Sequence, residues 1–270
     1  MHRRAPWVAL GGLLCLLAIP AAAAPVCTLV VEADSGRVLE RAGAQCDTRN
    51  SPASTFKLAL AVIGYDAGIL IDAHTPAWPY KPEYDASFAS WKRTVDPTSW
   101  LRDSVVWYSQ ELTRRLGAAR FQQAVDRLDY GNRDFAGDPG RDNGLTNAWL
   151  SSSLEISPVE QVGFVRKLLG RRLTLSPTAQ ARAIAIVPQF PLPDGWTAHG
   201  KTGNGSQLGA DGALDRDRQF GWFVGWADKP GARAVVFARL LKDDAKVEGY
   251  ASIRARDGLL ADLPGLLADR

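Results

Sequence analysis

The sequence predicts a mixed α/β fold of the α+β type, in which strands from both ends of the chain form one antiparallel sheet packed against helices, with an all-helical region between them. Three observations predict it. Strand-like alternation occurs near residues 28–40 and returns at 196–241, while the intervening chain carries helical periodicity. A length of 270 residues suits one domain and would cramp two ordinary ones. The composition, 46% hydrophobic and 23% charged, excludes a disordered chain, a fibrous protein and a disulfide-dense miniprotein.

Residues 1–24 read as a secretory signal peptide. Arg3 and Arg4 form a basic start, Trp7–Ile19 an apolar run, and Pro20 with four alanines a small-residue end. The run is too short to span a bilayer comfortably, and no second apolar stretch approaches the roughly 18 residues a span needs. Cleavage is expected around Ala22 to Ala24. Cys15 does not read as a lipoprotein site, because Leu14 before it is too large. An exported, periplasmic protein with no membrane attachment after signal removal follows, and residues 25–270 read as one domain. The leader holds two arginines and no acid, so the formal charge of +3 falls to near +1 on its removal. A near-neutral chain without a basic run is a poor nucleic-acid binder.

The first predicted elements are a hairpin: Thr28 to Glu32, a turn at Asp34-Ser35-Gly36, and Val38 to Glu40. Cys27 and Cys46 flank it. An oxidising compartment makes a bond between them possible, worth about 3 kcal/mol for a loop of this length; two free buried thiols are the other reading. These cysteines with His74 and His199 are too few and too scattered for a zinc site, so no metal is expected.

Residues 52–70 read as a helix apolar almost all round (Phe56, Leu58, Leu60, Val62, Ile63) and therefore buried. Residues 72–103, rich in Pro, Trp and Tyr, read as irregular. A helical pattern spans 104–128, with Phe121, Ala124, Val125 and Leu128 on one stripe. Ser157-Pro158-Val159-Glu160 is a capping box opening a helix that ends near Gly170, and another helix starts at Ser176-Pro177. Strands are expected at 196–202, 219–227 and 233–241, with a turn at Asp228 to Gly231, and a last helix at 249–262.

Of eight lysines only Lys57 has a serine, Ser54, three residues before it. One helical turn puts both side chains on one face, and helical side chains lean toward the N-terminus, so Lys57 reaches back over Ser54. Burial in an apolar helix lowers the lysine pKa. A neutral amine acts as a base, or reacts with carbon dioxide to give a carbamate, itself a base. Either would activate the Ser54 hydroxyl as a nucleophile, at a helix N-terminus that favours an oxyanion. Alone, Ser-x-x-Lys also describes a capped helix start with a solvated lysine.

Lys201-Thr202-Gly203 lies on a predicted strand and offers a cation for a carboxylate, a hydroxyl, and a glycine that permits close approach. Ser104-Val105-Val106 offers a serine able to relay a proton to a leaving amine; in isolation Ser104 reads as an N-cap. Tyr130-Gly131-Asn132 by itself reads as a turn.

Together, in this order, the four motifs resemble those of the serine β-lactamase and penicillin-binding superfamily, and most closely the class D, oxacillinase-type β-lactamases. The resemblance runs from the first strand to the last helix. It implies the serine β-lactamase/penicillin-binding-like fold, a β-lactam substrate, and no cofactor apart from carbon dioxide or bicarbonate for lysine carboxylation. It implies Ser54 as nucleophile, Lys57 as N6-carboxylysine and base in both steps, and Ser104 as proton donor to the departing nitrogen. Lys201 and Thr202 would hold the substrate carboxylate, with Arg254 where the family places an arginine for it. The backbone N–H groups of Ser54 and Asn204 would form the oxyanion hole. Trp149 would hydrogen-bond the carbamate, and Val106 and Leu150 would shield it from water. One departure stands out: Asn204-Gly205 follows Lys-Thr-Gly where many members carry an aromatic or other larger pair.

Class A enzymes carry Ser-Asp-Asn and a glutamate base, metallo-β-lactamases a histidine cluster, and α/β-hydrolases a Gly-x-Ser-x-Gly elbow; none of these occurs here. The leading reading is a periplasmic β-lactam hydrolase, monomer or homodimer. A non-hydrolytic β-lactam sensor acylated at Ser54 and a D,D-peptidase are the alternatives.

Overall fold

A computed structural model describes residues 25–268; the residues read as a leader, with the expected cleavage point, lie outside them. The N-terminal hairpin forms as β1 (Cys27–Glu32) and β2 (Val38–Ala42). The structure bonds Cys27 to Cys46, which ties β1 to the chain leaving β2.

The buried helix is shorter than its apolar pattern. Residues Ala53–Phe56 form a 3-10 turn, and α1 proper is Lys57–Asp66. Ala53 takes a left-handed φ of 47°, a costly conformation for a side-chain-bearing residue, directly before Ser54. Every residue from Lys57 to Tyr65 is buried. Burial of Leu58, Leu60, Val62 and Ile63, at about 1.5–3 kcal/mol each, offsets the cost of holding a lysine dry at the helix start.

The segment 72–103 is not wholly irregular. It ends in α2 (Pro97–Asp103), opened by Asp96, which accepts from the Ser99 N–H while the Ser99 hydroxyl accepts from the Asp96 N–H. The pattern at 104–128 is two helices, α3 (Val106–Leu116) and α4 (Ala118–Leu128), because Gly117 at φ 80° serves as the end of one and the start of the other. A short α5 (Gly144–Asn147) precedes α6 (Pro158–Leu169), whose Ser157–Glu160 capping box forms as expected, and α7 (Pro177–Ala185), capped by Ser176.

The chain then builds β3 (Gln189–Pro191), β4 (Thr197–Leu208), β5 (Leu214–Asp228) and β6 (Val235–Lys242), and closes with α8 (Ala251–Leu267). The strand order is β2-β1-β6-β5-β4-β3, all antiparallel. Strands β4 and β5 run further than their apolar cores, as a polar hairpin past Asn204. Helix α8 covers one face through Leu259 and Leu263 against Phe223 and Phe237, while α6 and the 3-10 turn meet the other, with α1 and α3 in the same core beyond them. Strand β3 pairs only with Thr197–His199, so among the described residues β4 is an open edge from Lys201 onward.

Candidate active site

The open edge of β4 meets the 3-10 turn that carries Ser54. Contact is close because Gly203 has no side chain: a Cβ there would lie 2.7 Å from the Pro52 carbonyl oxygen and 3.0 Å from the Thr55 nitrogen. The turn is braced from behind by a buried polar chain. Tyr130 Oη donates to Gln161 Oε1, Gln161 Nε2 donates to Thr55 Oγ1 at 2.8 Å, and Thr55 Oγ1 donates to the Pro52 carbonyl at 2.6 Å.

Ser54 and Lys57 come together as their spacing predicts. The Lys57 amine is wholly buried and 3.3 Å from the Ser54 hydroxyl, its only hydrogen-bond partner among the described residues. Burial, and then the charge of nearby Lys201, hold the Lys57 pKa well below that of an ordinary lysine. The second pair joins residues far apart in sequence: Lys201 Nζ donates to Ser104 Oγ, and also to the Thr202 carbonyl at 2.8 Å. Burial pushes the Lys201 pKa down to about 7, against the opposing pull of Asp103. Ser104 is not an N-cap. It ends α2 in a left-handed conformation, φ 59°, and this bend presents its hydroxyl to Lys201.

Trp149 is fully buried and stacks on Phe56 at 5.5 Å between ring centres. Ser51 fixes its backbone by donating to the Trp149 carbonyl and accepting from the Ser151 N–H. The Trp149 indole N–H is buried without a partner among the described residues. Val106 and Leu150 are half-buried against the same core. Asn204 lies on β4 opposite Gly221, and its side chain turns to the α8 face, where Oδ1 accepts from the Ser252 N–H.

One expectation needs correction. Arg254 is not a free cation at the site, because both its terminal nitrogens are taken by the fully buried carboxylate of Asp243, at 2.9 and 2.6 Å. Arg256, one helical turn beyond Ser252, instead lines a cavity of about 500 Å³ with Lys201, Thr202 and Gly200. The sequence carries a faint signal for it: positions 252 and 256 share a helix face. Tyr130-Gly131-Asn132 forms the turn expected of it, and it braces the site. Gly131 passes so close to the Glu155 carbonyl that a Cβ would sit 2.1 Å from it, and the Asn132 amide clamps Ser153, Asp134 and Glu155. A larger cavity of about 970 Å³ opens beside Leu150, between residues 134–142 and the tip of the β4–β5 hairpin; none of Ser54, Lys57, Ser104 and Lys201 lines it.

Among the described residues no group of three or more His, Cys, Asp or Glu could hold a metal, and no helix is long and apolar enough to cross a membrane.

A serine beside a buried, charge-suppressed lysine, facing a second serine–lysine pair on an open sheet edge, defines a serine acyl-transfer enzyme of the penicillin-recognising class. Comparison with known proteins agrees. Residues 26–263 match the penicillin binding protein transpeptidase domain family. The chain is 44% identical over 246 residues to β-lactamase OXA-9 of Klebsiella pneumoniae, covering 90% of this chain and 89% of that protein. It is 34% identical to β-lactamase OXA-1 of Escherichia coli, covering 82% and 76%. The crystal structure of the OXA-427 class D β-lactamase superposes with a TM-score of 0.83 at 46% identity, over 90% of this chain and 98% of that one. The chain belongs to the transpeptidase-fold family and, within it, to the class D β-lactamases.

Proposed function

We propose that this enzyme is exported to the periplasm, hydrolyses β-lactam antibiotics through an acyl-enzyme at Ser54, and so confers β-lactam resistance. The observation that carries the mechanism is the wholly buried Lys57 amine, 3.3 Å from the Ser54 hydroxyl. A base at position 57 takes the Ser54 proton as Oγ bonds to the lactam carbonyl carbon. The C–N bond then breaks, and the nitrogen receives the Ser104 proton, replenished from Lys201. Lys201, Thr202 and Arg256 hold the substrate carboxylate beside this step, and the backbone N–H groups of Ser54 and Asn204 stabilise the oxyanion. Water activated at position 57 hydrolyses the ester and frees Ser54.

The site fits carboxylation of Lys57. Only an uncharged amine reacts with carbon dioxide, and burial keeps this one uncharged. The buried, unpartnered Trp149 N–H is a ready donor for a carbamate oxygen, since a buried donor without a partner is costly. The carbamate supplies an anionic oxygen base at the head of α1, and its charge stabilises the Lys201 ammonium where a second ammonium would repel it. Val106 and Leu150 limit water around it.

A non-hydrolytic receptor or a D,D-peptidase shares the chemistry as far as the acyl-enzyme, so turnover separates them. The purified mature protein is expected to hydrolyse nitrocefin through many turnovers. One stoichiometric burst followed by silence contradicts the reading, and Ser54→Ala should abolish covalent labelling by penicillin.

A further inference from the structure

The cavity beside Thr202 is larger than a ring carboxylate needs. It measures about 500 Å³ and continues from Lys201 and Thr202 to Arg102 on α2. Thr98 and Arg102, one helical turn apart, form one wall, while Ile186 and Phe190 make another side apolar.

Both arginines in this cavity keep donors free. Arg256 Nε donates to Asp257 Oδ1 at 2.8 Å, and its two terminal nitrogens have no partner among the described residues. Its guanidinium lies over the Phe190 ring, 5.5 Å from the centre. Arg102 gives Nε and Nη2 to Asp103, at 2.8 and 2.9 Å, and keeps Nη1. Asp103 is itself shared, since Arg93 Nη2 donates to the same Oδ2. With Lys201 in its ammonium form, four cations (Arg93, Arg102, Lys201 and Arg256) thus stand with two carboxylates, Asp103 and Asp257. The fused ring of a penicillin or cephalosporin carries one carboxylate, which balances one of the two surplus charges and leaves the other. The Arg102 side chain is 60% exposed, so an incoming anion reaches it without breaking into a buried pair.

Position follows from the chain. Arg102 stands two residues before Ser104, so their Cα atoms are at most about 7 Å apart, and Ser104 Oγ meets Lys201 Nζ. With Ser104 facing the lactam nitrogen, the carbon bonded to that nitrogen carries the carboxylate, and the next ring carbon of a cephalosporin carries its variable arm. The arm therefore leaves beside the carboxylate, where the cavity runs on to Arg102.

We propose that this stretch of the cavity is a second anion subsite: Arg102 binds an acidic group at the end of that arm, Ile186 and Phe190 take its heteroaryl ring, and the enzyme favours β-lactams that are dianionic on the fused-ring side. The subsite rests on the β-lactamase reading, in which Thr202 and Arg256 hold the ring carboxylate.

The test compares two cephalosporins with one acyl side chain and one tetrazolyl-thiomethyl arm. They differ only in the group on the tetrazole nitrogen, carboxymethyl against carbamoylmethyl, and so match in size and differ by one charge. At low ionic strength the wild type should show kcat/KM about fivefold higher for the acid, mainly through KM, the upper end for an exposed ion pair. Arg102→Gln should bring the ratio close to one, Arg102→Lys should keep most of it, and Arg102→Glu should invert it. Raising the ionic strength to about 0.5 M should erase the wild-type preference by screening. A wild-type ratio near one, or a ratio that survives Arg102→Gln, overturns the subsite. Should a thermal melt show Arg102→Gln unfolded, the ionic-strength series on the wild type decides: a falling ratio supports the subsite and a flat one overturns it. Absence of nitrocefin turnover in the wild type would overturn the hydrolase reading; a ratio near one in an active enzyme overturns only the subsite.

Discussion

A methyl group at position 203 would press the nucleophile away from the sheet. The added Cβ of Gly203→Ala meets the Pro52 carbonyl oxygen at 2.7 Å, the Thr55 nitrogen at 3.0 Å and Thr55 Cγ2 at 3.1 Å. Backbone faces it, so no side chain can swing aside. Restoring a contact of 3.4 Å requires the Ser54 turn to retreat by roughly 0.7 Å. Overpacking of this kind costs about 1–3 kcal/mol. Alanine returns about 0.4–1 kcal/mol by restricting the unfolded chain, because Gly203 does not need a positive φ. A net loss of about 1 kcal/mol lowers Tm by roughly 2–4 °C for a chain of this size. The effect on rate is larger, since misplacing a reacting group by about 1 Å costs about 100-fold. Acylation by a fluorescent penicillin, followed by stopped flow, should slow by tens-fold while the melt moves only a few degrees. Acylation within twofold of wild type, with Tm unchanged or raised, would refute the idea that Gly203 is there to seat the nucleophile turn.

Trp149→Phe keeps an aromatic ring against Phe56 but removes the indole N–H. A hydrogen bond to a charged group is worth about 1.5–3 kcal/mol, so turnover in ambient air should fall at least about tenfold and recover in concentrated bicarbonate; insensitivity to bicarbonate counts against the assignment. Replacing Cys27 and Cys46 by alanine should cost about 3 kcal/mol in urea unfolding, because the bond closes a sequence separation of 19; a loss below about 1 kcal/mol contradicts that account. In bicarbonate-free buffer the folded protein holds Lys201 near a pKa of about 7 while the unfolded chain keeps it near 10.4. The unfolded state therefore binds more protons between those values, and stability should rise with pH across that window. Lys201→Met should make the rise shallower and leave the part that the buried Lys57 contributes, and an unchanged slope speaks against a lowered Lys201 pKa.

The reacting groups are legible in the sequence where chemistry sits at short spacing. Ser54 and Lys57 are one turn apart, so their meeting follows from helix geometry alone. The hairpin, the capped helices and the three C-terminal strands are legible from periodicity and caps. The Ser104–Lys201 pair is suggested only by family resemblance, since nothing local brings residues on α2 and β4 together. Helix α2 hides inside an aromatic-rich stretch, although Asp96-Pro97-Thr98-Ser99 is itself a helix-start signal. Arg254 misleads because position in the last helix does not reveal which carboxylate is buried beneath it, and Asp243 lies just past the end of β6. The length of β4 and β5 escapes the pattern because a hairpin projecting past the core carries polar residues on both faces. Gly203 reads as room for substrate, and only the assembled fold shows the Ser54 turn occupying that room.

Carbon-13 NMR of the enzyme equilibrated with labelled bicarbonate tests the central claim most directly: that burial keeps the amine at position 57 uncharged and able to take up carbon dioxide beside Ser54. A single carbamate resonance should appear, absent from Lys57→Ala, and should titrate in step with nitrocefin turnover. Full activity in a sample without that resonance, or a resonance that persists in Lys57→Ala, would contradict it.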